Sequence, residues 1–188
     1  QVVSKYDDAL FGGNIVFKKE YNDNSLEFSF NFKEDKHSEQ SKTTEPYLDF
    51  IARTFSVGNL NTIVLSEDLK FFVGASYDIF DKVKAQELVN NKAQDFDTEI
   101  IGKTVTAFNP YSTFQYSISA NDLISFAFAR KIRFPSLKNL YSRGVDGTQS
   151  PGNPDLQEEQ SDNFDISYTR KINNGRLNAS FFYYNIDN

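Results

Sequence analysis

Hydrophobic and polar positions alternate along most of this chain with a period of two. The clearest run starts at Ile124. Ile124, Phe126, Phe128, Ile132 and Phe134 fall on one side of an extended backbone, and Ser125, Ala127, Ala129, Lys131 and Arg133 on the other. An earlier run repeats the pattern, with Leu26, Phe28, Phe30 and Phe32 against Ser25, Glu27, Ser29 and Asn31. One greasy face and one small or polar face, exchanged at every residue, mark a β-strand that separates two environments. A one-residue slip would swap the faces. The pattern therefore predicts Phe28, Phe30, Phe32, Phe126 and Phe128 on the apolar side of an antiparallel sheet, and Ser29, Asn31, Ser125 and Ala127 on the other.

Four short turns punctuate the alternation: Asn22-Asp23-Asn24, Ser66-Glu67-Asp68-Leu69, Ala120-Asn121-Asp122-Leu123 and Asn173-Asn174-Gly175. Their residues tolerate a left-handed backbone or cap their own turn. The flanking strands are expected at 13–21 and 25–35, 47–65 and 70–82, 106–119 and 124–134, and 162–171 and 176–187, with a bend at Gly58. Several of these eight have the ~9–11 residues of a transmembrane β-strand. The hairpins share geometry and not sequence. Long polar connections are expected at 36–45, 84–105 and 135–160. A compact domain usually joins neighbouring strands with ~2–5 residues. Tight turns alternating with long loops are the asymmetry of an outer-membrane barrel. The expected fold is all-β, antiparallel up-and-down β-hairpins forming part of a transmembrane β-barrel, with turns at one end and long loops at the other. A soluble sandwich shares the alternation, since only the identity of the apolar side differs.

Composition narrows the class. Hydrophobic residues make up 39% and mean hydropathy is -0.53. Apolar runs such as Thr62-Ile63-Val64-Leu65 fall far short of the ~20 residues of a spanning helix, so only strands could cross a bilayer. The 19 Phe and 10 Tyr, with no Trp, suit membrane-interface girdles and also a soluble β-core. The absence of Cys excludes disulfides and thiolate metal sites. A net charge of -6 argues against nucleic acid as a partner. The chain has no Met and begins Gln1-Val2-Val3, so residues 1–188 are expected to be one barrel segment, excised or processed from a longer chain and without a signal peptide.

Candidate chemistry is sparse. His37, the only histidine, lies among Lys33, Glu34, Asp35, Lys36 and Glu39, a setting for a metal ligand or a pH switch. With no second His and no Cys, it reads as a solvated loop residue. Asp95, Asp97 and Glu99 offer oxygen ligands at every second position, but their spacing matches no calcium loop, so they also read as solvated. Arg130, Lys131, Tyr141 and Arg143 are the candidate ligand contacts. Arg130 and Lys131, with Arg133, could face an anionic chelate or phosphate, against the plainer reading of interface or loop-anchoring charges. The loop 141–160, with Gly144, Gly147 and Gly152, could form a lid, or its glycines could be turn chemistry. No nucleophile–base arrangement stands out, and Gly12-Gly13 precedes a strand and not a helix. No enzyme, metal site or cofactor is expected.

Six segments stand in order between residues 65 and 159. They are Leu65-Ser66-Glu67-Asp68-Leu69-Lys70, Val73-Gly74-Ala75-Ser76-Tyr77-Asp78, Asn109-Pro110, Arg133-Phe134-Pro135-Ser136-Leu137, Leu140-Tyr141 and Asn153-Pro154-Asp155-Leu156-Gln157-Glu158-Glu159. The ordered set resembles the barrel of TonB-dependent outer-membrane receptors over about residues 59–188; residues 1–44 add only strand pattern. Glu158 stands where that family has a second proline, which removes local rigidity, while Glu159 is retained. The resemblance implies that Asn109, Pro110, Arg133, Phe134, Pro135, Asn153, Pro154 and Leu156 determine the fold. It implies a far larger barrel of about 22 strands around a plug. It further implies a place among the lipids of the outer membrane of a Gram-negative bacterium, and uptake of a small-molecule nutrient such as a siderophore-iron complex, haem or cobalamin. The TonB complex would act through a plug not found in this segment. A self-contained eight-stranded adhesin or structural barrel, and a soluble β-domain binding sugar or protein, are the other readings.

Overall fold

The computed structural model describes residues 4–95, 104–143 and 152–187. Its strands are β1 (Lys5–Tyr21), β2 (Asn24–Gln40), β3 (Leu48–Ser66), β4 (Leu69–Lys84), β5 (Gln86–Val89), β6 (Lys92–Asp95), β7 (Thr104–Ser117), β8 (Asp122–Arg133), β9 (Glu159–Ile172) and β10 (Gly175–Asp187). One short helix, α1 (Leu137–Tyr141), follows β8. Eight strands form a single sheet in the order β1-β2-β3-β4-β7-β8-β9-β10, and β5 and β6 make a separate small hairpin. Every pairing is antiparallel. With no crossover in that order, the four tight turns lie at one end and the long connections at the other. The sheet is open among the described residues, with β1 and β10 at its edges.

Directly paired residues share a face, so the register tests the alternation. Phe30 pairs with Val57, Val57 with Tyr77, and Tyr77 with Phe108. Phe71, Phe114, Phe126, Ile166 and Phe181 form a second apolar row. The opposite face carries rows such as Ser29, Gly58, Ser76 and Asn109. Aromatic rings on the apolar face meet across strands, Phe32 with Phe55 and Phe128 with Phe164, each with centroids 5.0 Å apart. Phe30 remains 54% exposed and Val57 49%. A continuous apolar surface of this kind would be a liability in water, whereas it is what a barrel wall presents to lipid.

The strands outrun their sequence-based bounds, chiefly at the loop end. β1 begins at Lys5 and not at 13, and β2 continues to Gln40, so most of the connection expected at 36–45 is strand. Charged residues at Lys33, Asp35, His37 and Glu39 hid the continued period of two, because they lie on the polar face. The connection 84–105 contains the β5–β6 hairpin, and 135–160 contains α1. The bend expected at Gly58 does not interrupt the ladder; Gly58 pairs regularly with Ser29 and Ser76, and the irregularities fall at Ile51/Ala52 and Val64/Ser66. At the turns, Asn22 and Asn173 adopt positive φ, the conformation that asparagine tolerates well.

Two motif segments lock into each other within the sheet. Gly74 pairs with Tyr111, and a Cβ at Gly74 would lie 2.5 Å from the Tyr111 hydroxyl, so only glycine admits the ring. Tyr111 then donates to the Asn59 carbonyl at 3.2 Å. The ladder between β7 and β8 runs from Ser117 only to Tyr111, next to Pro110, which has no N–H to donate. The Asn109 side chain takes over there: its Oδ1 accepts from the Ile132 N–H at 2.7 Å, and its Nδ2 donates to Asp78 at 2.6 Å. Asn109→Leu is expected to leave these groups unsatisfied and lower stability by about 1–3 kcal/mol. Denaturant unfolding of the protein in detergent would measure it, and an unchanged midpoint would show the bridge to be dispensable.

Candidate functional site

At the loop end the chain turns back over the polar face. Leaving β8 at Arg133, it stacks Phe134 on Phe80, centroids 4.9 Å apart and planes at 15°. Pro135 then sets the direction, and Ser136 caps α1, its Oγ accepting from the Asn139 N–H at 3.2 Å. The helix buries Leu137, Leu140 and Tyr141 against Leu48, Phe50 and Ala52. Tyr141 lies nearly parallel to Phe50, 5.3 Å between centroids, and burial pushes its hydroxyl pKa up to about 12. Residues 134–143 thus form a strap, and its contact with the sheet is the only cluster of buried hydrophobic residues among those described.

The strap is held from beyond it as well. Gly152 N–H donates to the Ser142 carbonyl at 2.6 Å, and Asn153 N–H to the Asn139 carbonyl at 2.9 Å. A Cβ on Gly152 would lie 2.5 Å from the Tyr141 nitrogen, so this approach requires glycine. Asn153 closes a turn by accepting from Asp155 N–H through its side chain and from Leu156 N–H through its carbonyl. Lys82 Nζ reaches the Pro154 carbonyl at 3.0 Å. The Asn-Pro-Asp-Leu segment is therefore a turn pinned to β4.

The polar anchor of the strap is Glu39, only 2% exposed. Its carboxylate accepts from Ser142 Oγ and from the Arg143 N–H, both at 2.8 Å. His37 lies behind it, Nδ1 2.5 Å from Asp8 Oδ1 and Nε2 3.6 Å from Glu39 Oε2, the second an ion-pair distance and too long for a hydrogen bond. The His37 ring sits between Tyr6 and Phe50, at 5.8 and 5.9 Å, so four rings stack from Tyr6 to Tyr141. His37 is a buried strand residue and not the solvated loop residue expected from sequence. Asp8 and Glu39 approach opposite edges of its ring, and no group of three or more potential metal ligands converges among the described residues.

Both charges at this anchor are tuned. Glu39, helped by Asp8, raises the His37 pKa against the opposing effect of burial. Burial alone would raise Glu39, but His37, the Arg143 amide and the Ser142 hydroxyl outweigh it and hold the carboxyl low. His37 therefore contributes full stability below its ordinary value of 6.5, lost as pH rises through the raised folded value. Glu39 contributes above its ordinary value of 4.5, lost as pH falls through the lowered folded value. Stability is expected to decline as pH rises from about 6.5 through the raised folded value of His37, and His37→Phe to flatten that limb. Equal slopes in both proteins would refute the assignment.

The candidate contacts do not come together. Arg130 lies on the register of Phe126 and Phe128, facing away from the strap, and grips Asp162 through Nε at 2.7 Å and Nη2 at 2.9 Å. Lys131 is exposed on the polar register opposite Ser161. Tyr141 is 5% exposed. Arg143 spends its guanidinium on Glu45 at 3.2 Å. Arg130 and Arg143 are anchoring charges in this arrangement, and Tyr141 is a packing residue. Asp95 accepts from Gln86 at 2.9 Å; Asp97, Glu99, Gly144 and Gly147 lie outside the described residues.

Between the strap and the polar face lies an open cleft of about 680 Å³, bordered by Asp8, Lys33, Asp35, Asp78, Arg133 and Lys138 among others. That size suits a small-molecule ligand. Sequence reasoning missed Asp8, Asp78 and Lys138, which are scattered along the chain and met only through strand pairing and the returning strap.

The family model for the TonB dependent receptor-like β-barrel matches residues 5–188. No curated protein matches by sequence. Among solved structures, the copper transporter OprC superposes with a TM-score of 0.78 at 14% identity, covering 98% of this chain and 31% of that one. The alcaligin outer-membrane receptor FauA from Bordetella pertussis does so with a TM-score of 0.60 at 16% identity, again covering 98% and 31%. This chain thus spans about a third of each of those proteins, and at such identity the likeness is one of fold.

Proposed function

The chain belongs to the TonB-dependent receptor-like β-barrel family, and from that premise we propose that it forms part of the wall of an outer-membrane receptor for energy-coupled uptake of a scarce nutrient. In this reading residues 1–188 are a segment of a longer chain in a Gram-negative outer membrane. Further strands of the parent pair with the edges of β1 and β10, a plug occupies the polar side, and the TonB complex acts through that plug. The observation that carries the reading is the opposition of the two faces. One is apolar and unpartnered; the other is polar, with a strap folded back across a ligand-sized cleft. The nutrient class takes in siderophore-iron complexes, haem and cobalamin, and the likeness to the copper transporter OprC adds copper to the metals worth testing.

Growth of a strain lacking the gene tests the proposal, with iron siderophores, haem, cobalamin or copper each supplied as the sole limiting source. Loss of growth on one source, restored by the intact gene, is expected. Unimpaired growth and unimpaired accumulation on all of them would refute uptake. The isolated 188-residue chain is expected to bind none of these ligands at low micromolar affinity or better. Its loops would have to be ordered on binding, at ~0.5–1.5 kcal/mol per immobilised side chain. Calorimetric titration checks this, and tight binding would mean that the wall and strap suffice.

A further inference from the structure

Charge around the cleft is not evenly matched. Each acidic side chain bordering it already has a partner. Asp8 contacts His37 at 2.5 Å, Asp35 pairs with Lys33 at 2.7 Å, and Asp78 accepts from Asn109 at 2.6 Å. The two cations carried by the returning chain are placed differently. Among the described residues the Arg133 side chain forms no hydrogen bond or ion pair, and the Lys138 side chain meets only the face of the Tyr6 ring, its Nζ 5.5 Å from the centroid. Both border the same cleft, and Arg133 also borders the adjoining one of about 430 Å³, where Asp155 and Glu159 lie with Asn139 and Asn153.

Placement of these cations is built into the fold. Phe134 on Phe80 anchors the residue after Arg133, while Leu137 and Leu140, buried on either side of Lys138, turn that side chain outward from the core. Glu39 secures the far end of the strap through Ser142 and Arg143. A carboxylate or another oxyanion entering the cleft would meet one guanidinium and one ammonium, neither of them in an ion pair among the described residues, with Glu159 across the ladder from Arg133 as the nearest competing carboxylate by register. Arginine suits a planar bidentate oxyanion, and lysine a point contact.

We propose that the cleft takes an anionic ligand, of the class of a metal chelate with net negative charge, with Arg133 and Lys138 as its contact cations and Glu39 as the residue that positions the strap. This assignment rests on the uptake reading above and narrows it to one charge class. Neutral and cationic chelates gain no net charge attraction from these two groups.

The full-length receptor, purified in detergent, would be titrated with three ferric probes: anionic ferric citrate, a neutral ferric trihydroxamate of the ferrichrome type, and cationic ferrioxamine B. The anionic probe is expected to bind most tightly. Lys138→Gln and Arg133→Gln are each expected to weaken it by about tenfold, the loss of one charge-assisted contact. Lys138→Arg should retain binding, and affinity for the neutral probe should not move. Lys138 is exposed on α1, so its substitution leaves the fold intact even if Arg133→Gln does not. Preference for the neutral or cationic probe, or undiminished citrate binding in Lys138→Gln, would overturn the charge assignment while leaving uptake standing. Binding of none of the three would count against both.

Discussion

Phe50→Ala is expected to destabilise the protein by about 3–5 kcal/mol, the range for emptying a fully buried aromatic site. Phe50 is 0% exposed and lies in the ring stack between His37 and Tyr141. Truncation opens a cavity under α1 and removes the surface on which Tyr141 rests. The sheet keeps its ladders, so the loss should concentrate in the strap. Two measurements separate these effects. Denaturant unfolding in detergent gives the overall cost, and hydrogen exchange at Leu140 and Ser142, whose amides donate within α1 and its cap, reports the local one. Phe50→Leu should recover much of the stability. A cost below about 1 kcal/mol would mean that the strap is not supported by this packing.

Val57→Arg is expected to cost about 2–4 kcal/mol, the penalty for a cation on the lipid face near the bilayer midplane. Val57 pairs with Phe30 on one side and Tyr77 on the other, within the apolar rows. Its neighbour Ser56 faces the opposite way and borders the cleft. Ser56→Arg should therefore change stability by no more than about 0.5 kcal/mol. The contrast distinguishes environments. On a face open to water, an arginine at a half-exposed valine would be tolerated. Folding yield into lipid vesicles, followed by heat-modifiable mobility on gels, would register the difference. Equal tolerance of arginine at both positions would remove the support for a lipid-facing wall.

The start of the strap was present in local residue patterns. Arg133-Phe134-Pro135-Ser136-Leu137 marked a strand end, whereas the helix that Ser136 caps and the turn at Asn153 lie within what reads from sequence as one long connection. What these segments touch was not readable, because their partners lie far away in the chain. Phe134 meets Phe80, Asn109 serves both Asp78 and Ile132, and Ser142 meets Glu39 more than 100 residues earlier. His37 illustrates the limit. Its neighbours Lys36 and Ser38 gave it the look of a polar loop, yet pairing with Asp8 and stacking on Phe50 bury it.

The strands, their antiparallel order, the two faces and the end at which the loops gather can all be read from residue order alone. These follow from a period of two and from turn chemistry, both local properties repeated along each hairpin. Where the charges go emerges only once the strands are paired. Arg130, Lys131 and Arg133 are close in sequence, yet a strand sends neighbours to opposite faces and the corner after Arg133 changes direction again. Arg130 is thereby spent on Asp162, while Arg133 is brought beside Lys138 at the cleft. Such outcomes depend on cross-strand register and on a chain folding back over the sheet, which no local pattern encodes.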